Sequence, residues 1–295
     1  LFKLNINLIA DIFRHKQMNK TLIRREKTIS ILGCGWLGLP LAKFLLKKGY
    51  QINGSTSTPE KLSQLSTEGI NPYLISFDPE INADFDADFF HSDLLIINFP
   101  PKQREAIEEY HSQQIKALIN QLQFSTIKKV IFISSTSVYA NVNKLVTEKN
   151  KQTPEKSSGK ALRIVEEILL LQQNFKTSII RFGGLIGYDR KPGRFFSKMK
   201  QAVEGQTPVN LIHRDDCIGT IFHLIENDLW GEIYNACCPE HPTREDFYKT
   251  ATKIGGFEIP KFVSKKSSCK TISSEKLIRT NYTFKYNNPI DAIVF

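Results

Sequence analysis

The stretch "ILGCGWLG" (residues 31–38) sets Gly33, Gly35 and Gly38 in a G-x-G-x-x-G spacing. It follows a β-branched apolar run and precedes a segment with helical periodicity. At such a junction each glycine has its own task. Gly33 permits the tight turn, Gly35 lets a pyrophosphate approach the backbone, and Gly38 lets the helix pack close to the sheet. The helix N-terminus offers free N–H groups and a positive dipole end to the phosphates. Cys34, Trp36 and Leu37 therefore join the glycines as candidate cofactor-binding residues. After the second strand an NAD site normally carries an acid for the ribose 2′-hydroxyl. Here the sequence reads "INGSTSTPEK", with no acid before Glu60. Ser55, Thr56, Ser57 and Thr58 could donate to a 2′-phosphate, with Lys61 nearby; equally, these hydroxyls could cap the helix that begins at Pro59. NADP is expected ahead of NAD.

A second chemical stretch is "VIFISSTSVYA" (130–140). It resembles the fifth-strand signature of the extended and atypical short-chain dehydrogenase/reductases, the epimerase/dehydratase branch. "GCGWLG", "FPP", "RFGGLIG", "IHRDDCIGTI" and "GEIYNACCPEHPTREDFY" agree in order, so the likeness spans roughly 28–250. The glycine spacing and the "GKAL…E" helix look most like the atypical members of the YeeZ type. The resemblance implies an NAD(P)-binding oxidoreductase or epimerase/dehydratase-like protein. It implies that Ser135, four residues before Tyr139, orients the substrate's oxygen, and that Asp78 contacts the adenine side. Phe99 and Pro100, with Pro101, end the fourth strand beside the expected cofactor groove.

In that family a tyrosine serves as general acid/base, and a lysine four residues later holds the nicotinamide ribose and depresses the tyrosine's pKa. The physics is sound, because a phenol with pKa near 10 is a poor base at neutral pH until a cation favours its phenolate. "EKSSGKALRIVEE" (155–167) is where both should stand. With Lys160 as the family lysine, the tyrosine position holds Lys156; with Arg163 in that role, it holds Gly159. No tyrosine lies between Tyr139 and Tyr188. Ser135 and Lys160 are thus the candidate active-site residues, while Ser135, Glu148, His213 and Tyr188 are candidate replacements for the missing proton donor. The competing expectation is an NADP(H)-binding regulatory or scaffold protein without turnover. Asp215 or Asp216 is expected to cap the helix that follows "IHR".

These groups need a scaffold. Apolar runs at 28–32, 50–55, 73–77, 93–101, 128–136 and 176–184 alternate with helical patterns at 39–49, 58–69, about 102–123 and 157–173. Without hairpin signals, this alternation means βαβ units and a Rossmann-type doubly wound parallel sheet of the α/β class. Residues 28–185 form the expected NAD(P)-binding domain. Residues 186–295 form a smaller C-terminal substrate lobe on the same sheet, with a helix near 215–227 and a strand at 231–237. Residues 1–27 are expected to be a basic leader outside the fold.

The chain has 295 residues, 41% hydrophobic and 24% charged, an ordinary soluble composition. Its net charge of +10 is concentrated: the leader carries seven basic residues against two acidic, a net of +5. The remainder shows no basic, aromatic-interleaved patch, so no nucleic-acid partner is expected. No apolar run is long enough to span a bilayer. Five cysteines, an odd number without C-x-x-C or paired histidines, argue against zinc and a disulfide framework. A cytoplasmic protein acting on an unidentified small molecule is the expectation.

Overall fold

The computed structural model describes residues 27–102, 104–196 and 201–293. The leader, apart from Lys27, lies outside the described residues.

Seven strands build one parallel sheet: β1 (Thr28–Leu32), β2 (Gln51–Thr56), β3 (Asn71–Leu74), β4 (Leu94–Ile97), β5 (Lys129–Ser135), β6 (Lys176–Phe182) and β7 (Ile233–Ala236). Their order is β7-β6-β5-β4-β1-β2-β3. The chain winds one way from β1 to β3, then crosses back to β4, which puts the topological switch point between β1 and β4. Such a crevice at the strands' carboxyl ends is where open α/β sheets take ligands.

The central strands are apolar on both faces because helices cover both. Alternate residues along β4 show the division. Leu94 and Ile96 pack with Ile31, Leu41, Leu45 and Ile221, under the helices α1 (Gly38–Lys47) and, farther along the chain, Arg214–Glu226. Leu95 and Ile97 pack with Ile115, Leu118, Val165 and Leu169 on the opposite face. That second face is covered by α3 (Ile107–Leu122) and α4 (Ser157–Leu170), which follow the short α2 (Leu62–Thr67).

Past residue 186 the structure adds detail that the sequence pattern lacks. The strand expected at 231–237 is β7, and it extends the main sheet by pairing with β6, Ile233 to Ile179 through Ala236 to Phe182. The helix expected near 215–227 is α5 (Arg214–Glu226). Neither Asp215 nor Asp216 caps it. The cap is His213, whose Nδ1 accepts from Asp215 N at 3.2 Å. Asp216 is buried and instead accepts from Lys285 N at 2.7 Å, Tyr286 N at 3.2 Å and the Tyr282 hydroxyl at 3.1 Å. It fastens the C-terminal segment. A further helix, α6 (Arg244–Gly255), has the local signals of one: Thr243 Oγ1 accepts from Asp246 N at 3.1 Å, and Gly256 closes it at φ +66°.

Candidate functional site

The glycine loop runs from the end of β1 into α1. Gly33 adopts φ +106°, and a Cβ there would lie 2.6 Å from the Asn98 carbonyl oxygen. A Cβ on Gly38 would lie 2.1 Å from the Gly33 oxygen. Neither position can hold a side chain. Gly35 is the opposite case, exposed and with no atom within 4 Å of where its Cβ would stand. Leu37 starts α1 without a side-chain cap, and the first turn carries no acid. The loop therefore leaves room and uncapped N–H groups on the side where an anion would sit.

Two neighbours hold the loop from below. Gly33 N donates to Ser55 Oγ at 2.9 Å, and Asn98 Nδ2 donates to Gly33 O at 2.9 Å. Ser55 is buried, so its hydroxyl is spent on the loop rather than turned toward a ribose. Cys34 is buried as well, and burial pushes its thiol up to about 12. Thr56 Oγ1 accepts from Thr58 N at 3.1 Å, and Ser57 is exposed at the end of β2. Asp78 is exposed; its carboxylate accepts from the Tyr110 hydroxyl at 2.8 Å and lies 3.7 Å from Arg104. Phe77 stacks on Phe99 at 5.5 Å between ring centres.

Above the loop opens a cleft of about 450 Å³. Gly35, Trp36 and Leu37 form one wall, and Asn98, Phe99 and Pro100 continue it from β4. Ser134 and Ser135 come from β5, Leu162 from α4, and Phe182 to Leu185 with Arg190 close the far side. Of the two expected active-site residues, Ser135 is in this cleft, where its Oγ also accepts from Ser137 N at 3.1 Å. Lys160 is elsewhere. It lines a separate surface groove with Glu108, Lys151, Arg163 and Glu167, and Leu162 is the α4 residue that meets the cleft.

The other candidate proton donors are also engaged away from it. Glu148 Oε1 accepts from Asn235 N at 2.8 Å and anchors β7. Tyr188 donates to Asp215 at 2.8 Å, and His213 is buried against the Tyr188 and Tyr286 rings. Burial raises the Tyr139 phenol; Arg181 opposes that only in part. Its hydroxyl accepts from Arg181 Nη1 at 2.6 Å and donates to Asn235 Oδ1 at 2.8 Å.

Sequence reasoning missed Ser134, Asn98, Leu162 and Arg190. Ser134 donates to Glu166 Oε1 at 2.6 Å, and Glu166 is paired with Arg181 through both carboxylate oxygens. All three are buried. The signal available for Ser134 was its place beside Ser135 at a strand's carboxyl end; Arg190, beyond the last clear strand, gave none.

Burial depresses four imidazoles, His111, His213, His223 and His241. Each folded pKa lies below the unfolded value of about 6.5, so the unfolded state binds protons first as the pH falls. Their contribution to stability is present above about 6.5 and is lost on acidification through that value. Urea midpoints are expected to drop between pH 7 and pH 5, ahead of carboxylate titration. A flat profile over that range would contradict neutral buried imidazoles.

The architecture is that of the short-chain dehydrogenase/reductase and epimerase/dehydratase proteins. A putative NAD-dependent epimerase/dehydratase from Methylobacillus flagellatus superposes with a TM-score of 0.72 at 22% identity. UDP-glucuronic acid 4-epimerase from Bacillus cereus, solved in complex with NAD, gives 0.71 at 18%. UDP-glucose 4-epimerase from Thermotoga maritima gives 0.73 at 16%. Each match covers 90% of this chain and 96% of the other. At these identities the likeness is one of fold. No protein-family model matches the chain. It is, however, 35% identical to protein YeeZ of Escherichia coli K12 over 267 residues, 89% of this chain and 97% of YeeZ. The chain belongs to the YeeZ family.

Proposed function

We propose that the chain binds a nicotinamide dinucleotide in this cleft, NADP(H) ahead of NAD(H), as an oxidoreductase or epimerase/dehydratase-like protein. The observation that carries the reading is Gly35: a fully open position between two glycines that steric contact forbids to be anything else. Gly33, Gly35, Trp36, Leu37 and Gly38 would hold the pyrophosphate, with Phe99 and Pro100 bordering the adjoining groove. The absence of an acid at the end of β2, with Ser57 and Lys61 exposed there, supports the 2′-phosphate. Two of the three solved neighbours are NAD proteins by name, so the preference for NADP(H) rests on this chain's own residues.

Bound there, the nicotinamide supplies hydride chemistry, and the chain supplies orientation and exclusion of water. Ser135 would hold a substrate oxygen. Among the described residues the cleft lining includes no tyrosine, lysine, histidine, aspartate or glutamate. Acid/base assistance by a side chain is typically worth about 10²–10⁴ in rate, and among these lining residues Ser135 is the candidate that would have to supply it. Leu162 in place of a cation on the α4 wall favours a second reading, a dinucleotide-binding regulatory protein without turnover. All five cysteines are free and buried, which supports a reducing compartment such as the cytoplasm. Among the described residues no helix is long and apolar enough to cross a membrane.

The test is a titration of the purified protein with NADPH and NADH, following nicotinamide fluorescence. NADPH is expected to bind tighter. No binding of either would overturn the proposal, and oxidation of bound cofactor by a screened carbonyl substrate would separate the enzyme from the regulator.

A further inference from the structure

Among the described residues that line the cleft, Arg190 alone carries a charge. Its position is built in. Arg190 N donates to Gly187 O at 3.0 Å, closing a tight turn. Gly187 takes φ +128°, and a Cβ on it would lie 2.5 Å from His213 Nε2. Tyr188 takes φ +50°, a left-handed conformation that strains a non-glycine residue. Contacts with α5 offset the strain: the Tyr188 hydroxyl bonds Asp215, and Arg214 lies 4.4 Å from the ring.

The turn is also fastened to the glycine loop across the cleft. Trp36 Nε1 donates to Asp189 Oδ1 at 2.8 Å. The Arg214 guanidinium lies 4.8 Å from the Trp36 ring, donates to the Trp36 carbonyl at 3.4 Å and pairs with Asp189 at 3.6 Å. Arg214 is thereby committed. Arg190 differs. Its guanidinium rests 4.3 Å from the Trp36 ring, and among the described residues no carboxylate lies within ion-pair distance of it, although its charge also favours the ionised Asp189 next to it. A cation stacked on an aromatic face keeps its N–H edges free for an anion.

Trp36 immediately follows Gly35, the open point of the phosphate loop. The geometry points to Arg190 as a pyrophosphate clamp: a guanidinium held on Trp36 at the cleft mouth that closes onto the dinucleotide's diphosphate opposite the backbone N–H groups of the glycine loop. This rests on the dinucleotide reading above and adds a side-chain contact to a site otherwise made of backbone. A charge-assisted bidentate contact suits a guanidinium better than an ammonium. The clamp reads charge common to NADH and NADPH, so it contributes affinity without choosing between them.

Calorimetric titrations of wild type, Arg190→Gln and Arg190→Lys with NADPH, NADH, ADP and adenosine test this. Arg190→Gln is expected to weaken NADPH, NADH and ADP alike by about 10- to 100-fold, to leave adenosine unchanged and to keep the unfolding midpoint. Arg190→Lys should recover only part of the loss. In a Trp230→Phe background, where Trp36 is the reporter, ADP but not adenosine should shift the emission as the guanidinium leaves the ring. Dinucleotide binding indifferent to Arg190, or a loss confined to NADPH, would overturn the clamp and leave the dinucleotide reading intact. Wild type that binds neither dinucleotide would instead remove the reading on which the clamp rests.

Discussion

Gly35→Asp is expected to abolish NADPH and NADH binding while leaving the unfolding midpoint where it is. The structure makes this substitution separable from misfolding. No atom lies within 4 Å of the Gly35 Cβ position, and its backbone is outside the left-handed region, so a side chain fits without the ligand. With the ligand, a carboxylate would occupy the volume reserved for the pyrophosphate and oppose its charge. Like charges brought together in an interface cost several kcal/mol, and about 1.4 kcal/mol is tenfold in affinity. A loss of roughly 100-fold or more is therefore expected. The neighbours behave differently: Gly33→Ala and Gly38→Ala put a methyl group against backbone at 2.6 and 2.1 Å and should lower stability together with binding. Titration by nicotinamide fluorescence beside thermal melts reads both quantities. Undiminished binding by the Gly35→Asp protein would make the loop a packing device only.

The glycine loop was legible in the sequence because steric contact dictates residue type there, and spacing records the contact. β1, β4, β5 and β6 were legible because burial on both faces demands apolar runs, whereas β3, at the sheet's edge and only partly buried, runs Asn71–Leu74 rather than over the expected 73–77. Direction around an element was not. Lys160 and Leu162 are two residues apart on a helix, about 200° of rotation at 3.6 residues per turn. The sequence shows a lysine near the expected place, while the helix turns it to another groove and brings the leucine to the cleft. Ser55 carries the same lesson on a strand, where one residue decides between the loop's underside and the ribose side. Asp216 sits where a capping aspartate belongs, yet its partners arrive from residues 282–286, nearly seventy positions away. Arg190 lies in a turn whose form depends on His213 and Asp215, contacts with no local signature.

Glu166→Leu carries the largest expected stability loss. Glu166 and Arg181 are 1% and 3% exposed, and the guanidinium meets both carboxylate oxygens. Burial alone would lower the Arg181 pKa, but Glu166 and Tyr139 hold it above its ordinary value. Removing the carboxylate leaves a buried cation with only the Tyr139 hydroxyl for a partner, which typically costs about 3–5 kcal/mol. Removing both charges costs less, because the desolvation of each disappears with it. Glu166→Leu/Arg181→Met should therefore recover most of the loss, and denaturant titrations of the two single variants and the double variant measure the coupling. A single-variant loss under about 1 kcal/mol would mean the pair is hydrated. The same variants test why a charge lies under the cleft floor. Ser134 donates its hydroxyl hydrogen bond to Glu166 at 2.6 Å, so its lone pairs are left for whatever enters beside Ser135. In the double variant the fold should return while this orientation does not, and a ligand that donates to Ser134 should bind more weakly than to wild type. Restored stability with unaltered affinity would confine the pair to holding β6 against α4.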